Sequence, residues 1–432
     1  MRVMRSSGLY AAVLVAVLSA AASLPVAGVQ AAARSASTGR SSGRPSVLAP
    51  APASFSILSG VFCTSAASCW AVGAHSSGKA VVNQVLHWNG TAWREAFVPN
   101  PGGAATGFVS LLYAVRCLDA RDCWAVGEYA KGKAYLDEAL HWNGRKWHSV
   151  ATPAPAGSRN GDINELYDST CTSSASCWAV GDYGNSNGTS EKRLNQILHW
   201  NGKRWSRVRV SNPGGTGVGH VSTLSAVRCL SSANCLADGN YGTTAASTDV
   251  MLNEAMHWNG KSWSQIRTPN PGGTAFGHMS QLYALACGSS TSCWGAGSYG
   301  TNEPTATSLN EILHWNGRKW THAVTPNPDG SSPGAFNQLY GATCSSSRNC
   351  WAVGSYDNSV GAIVNEALHW NGSKWYLVST PNPDGTADGH RNTLLAARCT
   401  SSINCWAIGY LETGGRFQHE ILHWNGKKWS AY

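Results

Sequence analysis

The sequence contains few charged residues, few phenylalanines and, beyond its N terminus, no long apolar run. Charged residues make up 13% of the 432 residues, and the formal charge of +9 is too dilute to indicate a nucleic-acid-binding protein. After residue 33 no stretch is long and apolar enough to span a bilayer. No nucleophile elbow G-x-S-x-G, zinc motif H-E-x-x-H, P-loop or G-x-G-x-x-G occurs in a usable context, so these common catalytic motifs are excluded.

Tryptophan and cysteine are the residues that the sequence has in excess. It holds 20 Trp against 7 Phe, although tryptophan is ordinarily the rarest aromatic residue, and this ratio indicates many copies of one motif. The 14 Cys are an even number, which suggests pairing, and the apolar content of 43% excludes a disordered polymer.

The N-terminal segment 1–33 is typical of a secretory signal peptide. Arg2 and Arg5 precede the apolar run Leu9–Ala22, and small residues follow where a signal peptidase would cut. The alternative is an uncleaved membrane anchor. Residues 34–54, rich in Ser, Ala, Pro and Arg, predict a flexible tether. We therefore expect an extracellular protein, free or associated with the cell wall, in a compartment where disulfides persist.

Seven copies of one repeat, spaced 54 to 58 residues apart, fill residues 55–432. In the copy Leu112–Val150 the motifs are L-Y-A-V-R-C, C-W-A-V-G-E-Y, H-W-N-G and R-K-W-H-S-V. Chance does not produce this regularity. Each copy has two cysteines six residues apart, and these are Cys63 and Cys69, Cys117 and Cys123, Cys171 and Cys177, Cys229 and Cys235, Cys287 and Cys293, Cys344 and Cys350, and Cys399 and Cys405.

Each copy also contains four short runs of β-branched and aromatic residues separated by turn residues. In the second copy these are Tyr113–Cys117, Cys123–Gly127, Ala139–Trp142 and Lys146–Val150, which we label strands A, B, C and D. The pattern predicts an all-β fold, a seven-bladed β-propeller with four antiparallel strands per blade. A linear β-solenoid is the main rival, but it would need polar end caps, whereas the last copy stops in strand D at Tyr432.

The repeat unit resembles repeats of known families. The strand–Asn-Gly–strand block H-W-N-G-K-R-W at residues 199–205 resembles the Asp-box turn of sialidase-like propellers and the Gly- and Trp-bearing blades of kelch propellers. The whole C-W-A-V-G … H-W-N-G-x-x-W unit is similar to that of secreted actinobacterial repeat proteins of unassigned function, and it covers residues 55–432. The resemblance implies a secreted propeller.

The two cysteines of a copy flank a five-residue turn between strands A and B. They would lie opposite each other on neighbouring strands, within disulfide reach, so we expect one disulfide in each blade. Each would stabilise the fold by about 2.4 kcal/mol in the chain-entropy model. Metal binding by Cys and His is the alternative, but C-x5-C lacks the two-residue spacing of zinc knuckles.

The H-W-N-G block predicts a tight hairpin between strands C and D. Asn-Gly favours a two-residue type I′ turn, because both positions need positive φ, and Trp88 would then face Thr91. One histidine per blade at a fixed offset lies far from the others, so we expect hydrogen bonds within or between blades from these histidines. The same interpretation covers the acidic or amide residue before strand C, at Gln84, Glu138, Gln196, Glu254, Glu311, Glu366 and Glu420.

Binding chemistry is expected where the copies differ. The B–C and D–A loops are long and varied and open on one face of a propeller, so we place the binding surface there. Asp162, His220, His278 and His390 lie nine residues before the first Cys of their copies, around the predicted channel mouth. They are candidates for a divalent metal site or a general acid/base cluster. The alternative is that they cap strand ends.

The fourth copy departs twice from the C-W-A-V-G pattern. It has Leu236 and Asp238 in place of Trp and Val, so a lost side-chain volume and a new carboxylate lie on the same face of the strand. An isolated buried carboxylate is costly, so Asp238 is predicted to be paired, solvated or functional, with His220 as a neighbour. Drift with a water in the gap is the alternative.

Basic residues follow the Asn-Gly pair in six copies. A rim of such residues could hold anionic cell-wall polymers, and the alternative is a set of plain solvated turns. The ten residues are Arg145, Lys146, Lys203, Arg204, Lys261, Arg318, Lys319, Lys374, Lys427 and Lys428.

We therefore expect a non-catalytic, monomeric binding or scaffold propeller that needs no cofactor. Its ligand would be a glycan, an anionic cell-wall polymer or an extracellular protein, and it would bind no nucleic acid. The alternative is a carbohydrate-active hydrolase or lyase at the channel mouth, for which Asp162, Asp238 and Asp388 are the available acids. Propellers host many functions, so the fold does not decide between them.

Overall fold

The computed structural model describes residues 55–185, 191–243, 250–301 and 306–432. The predicted signal peptide at 1–33 and the tether at 34–54 lie outside the described residues. Within the described ranges the chain forms 28 strands in seven four-stranded antiparallel units, so the predicted all-β repeat architecture is confirmed. The same ranges contain no helix long and apolar enough to cross a membrane.

The four strands of each unit follow one another in the order A, B, C, D. The A strands are β1 (Ser56–Ser65), β5 (Ser110–Asp119), β9 (Asp162–Ser173), β13 (His220–Ser231), β17 (His278–Ser289), β21 (Asn337–Ser346) and β25 (Arg391–Ser401). The B strands are β2 (Ser68–Ser77), β6 (Asp122–Lys131), β10 (Ser176–Asn185), β14 (Asn234–Thr243), β18 (Ser292–Thr301), β22 (Asn349–Asp357) and β26 (Asn404–Thr413).

The outer half of each unit is shorter. The C strands are β3 (Ala80–Trp88), β7 (Ala134–Trp142), β11 (Lys192–Trp200), β15 (Val250–Trp258), β19 (Thr307–Trp315), β23 (Ile363–Trp370) and β27 (Arg416–Trp424). The D strands are β4 (Trp93–Glu95), β8 (Trp147–Ser149), β12 (Trp205–Val208), β16 (Trp263–Ile266), β20 (Trp320–His322), β24 (Trp375–Leu377) and β28 (Trp429–Ala431). The B strands are buried over most of their length, which explains why C-W-A-V-G is a continuous apolar run without alternation.

Tryptophan side chains pack each unit against the next. Trp124 of β6 stacks on His141 of its own unit at 4.5 Å between ring centroids, and on Trp200 and Trp205 of the following unit at 4.9 and 5.0 Å. The same stacking recurs in every unit except the fourth, where Leu236 is fully buried in the Trp position. The tryptophans therefore hold the units together.

The seventh unit packs against the first. Trp406 lies 5.0 Å from Trp88 between ring centroids, and the hydroxyl of Tyr432 donates to the carbonyl oxygen of Thr91 at 2.9 Å. Strands β1–β4 form a sheet of their own, so this junction is made by side chains and not by a shared sheet.

All seven predicted disulfides are present. Each joins two directly paired residues of strands A and B, as Cys117 pairs with Cys123. Every cysteine is consumed, since the structure contains no free one among the described residues. The alternative of metal-binding cysteines is thereby overturned.

The predicted C–D turn was wrong in its register. Trp88 pairs with Trp93, so residues 89–92 form a four-residue turn, and Trp88 does not face Thr91. The side-chain oxygen of Asn89 accepts hydrogen bonds from the backbone N–H groups of Thr91 and Ala92, both at 3.0 Å. This side-chain turn replaces the type I′ geometry because asparagine satisfies the backbone donors itself.

Buried polar side chains link neighbouring units on the inner side of the C strands. The Nδ2 of Asn365 donates to Oε1 of Glu420 in the next unit at 2.6 Å, and four further Asn–Glu pairs repeat this contact. Between units 2 and 3 the residue types are exchanged, and Gln196 donates to Asp137. The seven H-W-N-G histidines likewise bond to strand B of their own units, so both expectations of structural hydrogen bonds are confirmed.

Candidate functional site

The B–C turns and the D–A loops lie together on one face, which we call the long-loop face. The amide of Gly107 in a D–A loop donates to the carbonyl of Lys79 in a B–C turn at 3.1 Å, and Gly161 donates to Lys133 at 3.0 Å. The A–B and C–D turns lie on the opposite face, the short-turn face.

Four of the predicted site residues end D–A loops on the long-loop face. Asp162, His220 and His278 open strands β9, β13 and β17, and His390 lies just before β25. The backbone N–H of each donates to the carbonyl oxygen three residues earlier, at 2.9 to 3.3 Å. The side chain of Asp162 stabilises the same turn, because its Oδ2 accepts a hydrogen bond from the backbone N–H of Arg159 at 2.7 Å.

The three histidine rings contact their own loops. His220 and His278 each donate from Nδ1 to the carbonyl oxygen six residues earlier. Nδ1 of His390 lies 3.2 Å from Oδ2 of Asp384. Within the part of the chain that the structure describes, no group of three or more His, Cys, Asp or Glu residues could hold a metal ion. Ligand binding by these residues stays a prediction.

Asp238 is a buried carboxyl without a protein partner. Its side chain is 0% exposed, and neither oxygen has a hydrogen-bond partner among the described residues. A Cβ on Gly295 of the next unit would lie 3.0 Å from Oδ2 of Asp238. Burial raises the pKa of Asp238 well above its usual range, which favours the neutral form of the carboxyl. The predicted partner is not found among the described residues, and a functional role for Asp238 stays a prediction.

The strand register also separates Asp238 from His220. Asp238 pairs with Ala226, whereas His220 pairs with Thr243 at the other end of the same hairpin. Five residues of extended chain correspond to about 17 Å. The predicted pocket formed by Asp238 and His220 together is therefore wrong, because one lies in mid-strand and the other at the loop.

The seven A strands line a central cavity of about 60 Å³. Each A strand has a β-bulge at the same position, and a bulge changes the direction in which the side chain of its extra residue points. Tyr113 and Tyr167 lie 5.5 Å apart between ring centroids, and Tyr283 and Tyr340 lie 6.0 Å apart, so tyrosines narrow the cavity. The bulged residues are Ser59, Tyr113, Tyr167, Ser225, Tyr283, Tyr340 and Leu395.

A buried charged network lies on the long-loop side of these tyrosines, between units 2 and 3. Nη1 of Arg193 donates to Oε2 of Glu165 at 2.9 Å and to Oδ1 of Asp182 at 2.7 Å. Glu128 is buried next to Glu165 and accepts a hydrogen bond from the hydroxyl of Tyr113 at 2.9 Å. Glu165 and Asp182 thus share one guanidinium, and Glu128 adds a third buried carboxyl to the network.

The pKa values of Glu128 and Glu165 are shifted in opposite directions. Burial, reinforced by the neighbouring Glu165, raises the pKa of Glu128 well above its usual range. Burial opposes ionisation of Glu165 as well, but the charge of Arg193 lowers its pKa. Burial raises the pKa of Asp182 to about 6. A protonated acid beside a carboxylate is the pair that acid/base catalysis uses, yet Glu128 is 0% and Glu165 8% exposed.

Sequence reasoning missed this network although a signal was present. Glu165 stands where the other copies have Ile, Leu, Thr or Gln, and Arg193 is the only charged residue at its repeat position. The same comparison between copies that singled out Asp238 would have found both.

A second cavity, of about 180 Å³, lies at the short-turn end of the A strands. It is lined by the residue that precedes the first Cys in each unit. Arg116, Arg228 and Arg398 are three of these seven residues, and the others are Phe62, Thr170, Ala286 and Thr343.

A groove of about 750 Å³ borders this cavity. It is lined by the A–B turns of units 1, 6 and 7 and shares Arg398 with the cavity. His423 and Asn425 extend it toward the C–D turn of unit 7. Both spaces open on the short-turn face, whereas the sequence predicted binding on the long-loop face.

The comparisons with known proteins concern the fold. No protein-family profile and no curated protein sequence matches the chain. The chain resembles an ulvan lyase bound to -[GlcA(1-4)Rha3S]-, with 9% identity and a TM-score of 0.52, over 88% of this chain and 93% of that one. It also resembles the β-propeller domain of the Trilobed protease from Pyrococcus furiosus (9% identity, TM-score 0.48, 88% and 97% covered) and a Hadza microbial sialidase (9%, 0.42, 81% and 72%). The structural neighbours are β-propeller proteins, among them hydrolases and lyases.

Proposed function

We propose that the seven units are the blades of a closed seven-bladed β-propeller, and that the protein is exported and binds an anionic polysaccharide on its short-turn face. Closure is supported by the packing of unit 7 on unit 1 through Trp406 and Trp88. Export is supported by the seven disulfides and by the signal-like sequence at 1–33. The binding surface would then lie on the short-turn face, opposite the long loops where the sequence predicted it.

The main support for polysaccharide binding is the positive charge of the short-turn face. The ten Lys and Arg residues that follow the Asn-Gly pairs are all exposed. Asp119 and Asp122 are the only acidic residues in the fourteen A–B and C–D turns, which also contain Arg121 and Arg348. A face with such an excess of one sign attracts a polymer of the opposite sign, and salt weakens the attraction.

The groove offers a path for such a polymer across this face. It runs beside Arg398 and ends near the C–D turn that holds Lys427 and Lys428. The ulvan lyase with the same fold binds a polymer whose repeat carries a uronic acid and a sulfate group. A ligand of that charge class suits the basic face of this chain.

Binding to immobilised polysaccharides tests the proposal. We expect the purified chain to bind polygalacturonate and dextran sulfate but not neutral dextran, and to elute with about 0.5 M sodium chloride. Equal retention on neutral and anionic polymers would contradict it.

A second function, carbohydrate hydrolysis or cleavage by a lyase, is favoured by the Glu128–Glu165 pair. The ulvan lyase of similar fold points the same way. Glu165 would act as the base and Glu128 as the acid, with Arg193 holding the charge of Glu165. The test is release of reducing ends or unsaturated products from anionic polysaccharides by the wild type, with Glu165→Gln as the comparison. If Glu165→Gln releases product as fast as the wild type, the Glu128–Glu165 pair does not catalyse the cleavage.

A further inference from the structure

We propose that the cavity at the short-turn end of the A strands is a binding site for a single oxyanion group, a sulfate, a phosphate or a carboxylate. Its ligands would be Arg116, Arg228 and Arg398, assisted by Thr170 and Thr343. This site is distinct from the exposed basic residues that would bind a polymer. It would hold a free inorganic anion as well as a charged group that belongs to a polymer.

The three guanidinium groups outnumber the carboxylate that faces them. Oδ1 of Asp168 lies 3.2 Å from Nη2 of Arg116, and Oδ2 lies 2.5 Å from Nη1 of Arg228. Asp168 is thus shared by two arginines, and the cluster keeps an excess of two positive charges. Excess charge in a partly buried place is unfavourable unless a counterion completes it.

Arg398 has no carboxylate partner among the described residues. Its guanidinium carbon lies 4.1 Å from the ring centroid of Phe62, and the guanidinium carbon of Arg116 lies 5.7 Å from the same centroid. The Nε atoms of Arg116 and Arg398 are buried without a hydrogen-bond partner within the described part of the chain. Both Nε–H groups are therefore left without an acceptor, on planar guanidinium groups whose shape suits oxyanions.

The pKa values of Arg116 and Arg398 reflect the same shortage of negative charge in the cavity. Burial, helped by the charge of Arg228, lowers the pKa of Arg116 to about 9, and burial lowers that of Arg398 to about 10. A bound anion would reverse both shifts, because an opposite charge favours the protonated form.

Two threonines complete the lining. Oγ1 of Thr170 accepts from the N–H of Cys229 at 3.4 Å, and Oγ1 of Thr343 accepts from the N–H of Cys399 at 3.3 Å. Each hydroxyl keeps its own proton to donate to an anion. The cavity volume of about 180 Å³ lies below the roughly 300 Å³ at which ligand pockets usually begin, so it suits one functional group and not a whole sugar.

Calorimetric titration of the intact protein with sodium sulfate, sodium phosphate or sodium acetate, at constant ionic strength set by sodium chloride, tests the site. We expect saturable binding of at least one anion, and the three arms identify which oxyanion fits. Arg398→Gln should weaken that binding about tenfold, because it removes a guanidinium from the ligand set. Thr343→Val should weaken it less and without changing the charge.

Arg416→Gln is the matched control, since it removes the same kind of side chain from an exposed position of the same unit on the long-loop face. Its affinity should equal that of the wild type. No saturable binding of any of the three anions, or an equal loss in Arg416→Gln, overturns the proposal. If Arg398→Gln fails to fold, Thr343→Val decides. Inorganic anion binding without polymer binding would contradict the proposed function and leave this site intact.

Discussion

Asp238 and Gly295 are adjacent departures from the repeat in consecutive units. The other units have Val, Ile or Ala at the position of Asp238, and Ala at the position of Gly295. The missing methyl group of Gly295 leaves room for the carboxyl, since a Cβ there would lie 3.0 Å from Oδ2 of Asp238. The two changes are therefore a local repacking around a neutral acid.

Asp238→Val should stabilise the protein by about 1–2 kcal/mol, because a polar group buried without a hydrogen bond is replaced by an apolar one of similar shape. The gain should grow with rising pH, since a raised pKa means that stability falls as pH rises above the usual Asp range. Urea unfolding at several pH values measures this. Asp238→Asn, which keeps the polar group, should show no such gain; a loss of polymer binding in Asp238→Val would restore a functional role.

Glu420 gives a second pH-dependent effect. Burial raises its pKa from 4.5 to about 8, so the folded state binds a proton that the unfolded state has lost, and stability should fall as pH rises between these values. Glu420→Gln should flatten this dependence and raise stability at pH 8 by roughly 2 kcal/mol. Units 1 and 3 already carry Gln84 and Gln196 at this position, so the fold accepts the amide. An unchanged pH profile in the variant would contradict the assignment.

Single residues were predictable where the repeat fixed their surroundings. The hydrogen bonds of the H-W-N-G histidines follow from one histidine per unit at a constant offset. The relation between Asp238 and His220 was not predictable from their numbers, because the hairpin register places one in mid-strand and the other at its end. The departures of Glu165 and Arg193 from the repeat mark the charged network, but its contacts with Glu128 join strands that are apart in the sequence, so no local pattern specifies them.

Each A–B hairpin is an element closed by its own disulfide. Replacing Cys117 and Cys123 together by Ser should lower the free energy of unfolding by about 2 kcal/mol, because the bond restricts a short loop in the unfolded chain. Urea unfolding of the double variant measures it.

The effect should stay local to one hairpin. Anion and polymer binding should persist, since Arg116 belongs to the paired part of β5. A loss of several times this energy would show that the disulfide also holds neighbouring units together.

The turns show which elements sequence rules describe. The disulfide of the A–B hairpin was predicted correctly, because paired cysteines on adjacent strands leave one arrangement. The predicted five-residue turn was too long, since β5 and β6 continue to the paired residues Asp119 and Asp122. The C–D turn was predicted with the wrong register, because the Asn89 side chain forms hydrogen bonds that backbone turn rules do not include. The bulges in the A strands were not predicted, since nothing in Leu112–Ala114 marks Tyr113 as the bulged residue.

At the scale of the whole molecule, the repeats allow the architecture to be predicted from the sequence, but they do not indicate the function. Seven copies at similar spacings predict the number of units, and stacked tryptophans explain why they pack in series. The location of the cavities could not be predicted in this way. Loop length pointed to the long-loop face, but the D–A loops there are braced by their own Asp and His side chains, and the groove and the arginine cavity open on the other face.

The central claim is that the short-turn face binds an anionic polymer, and two variants of equal charge test it. One replaces Lys374, Lys427 and Lys428 of the short-turn face by Gln, and the other replaces Lys79, Lys131 and Lys133 of the long-loop face. All six side chains are exposed, so both variants should fold. The measurement is the affinity for polygalacturonate at low salt. The account predicts a loss of about tenfold in the first variant and little change in the second. Equal losses, or a loss confined to the long-loop variant, would contradict it.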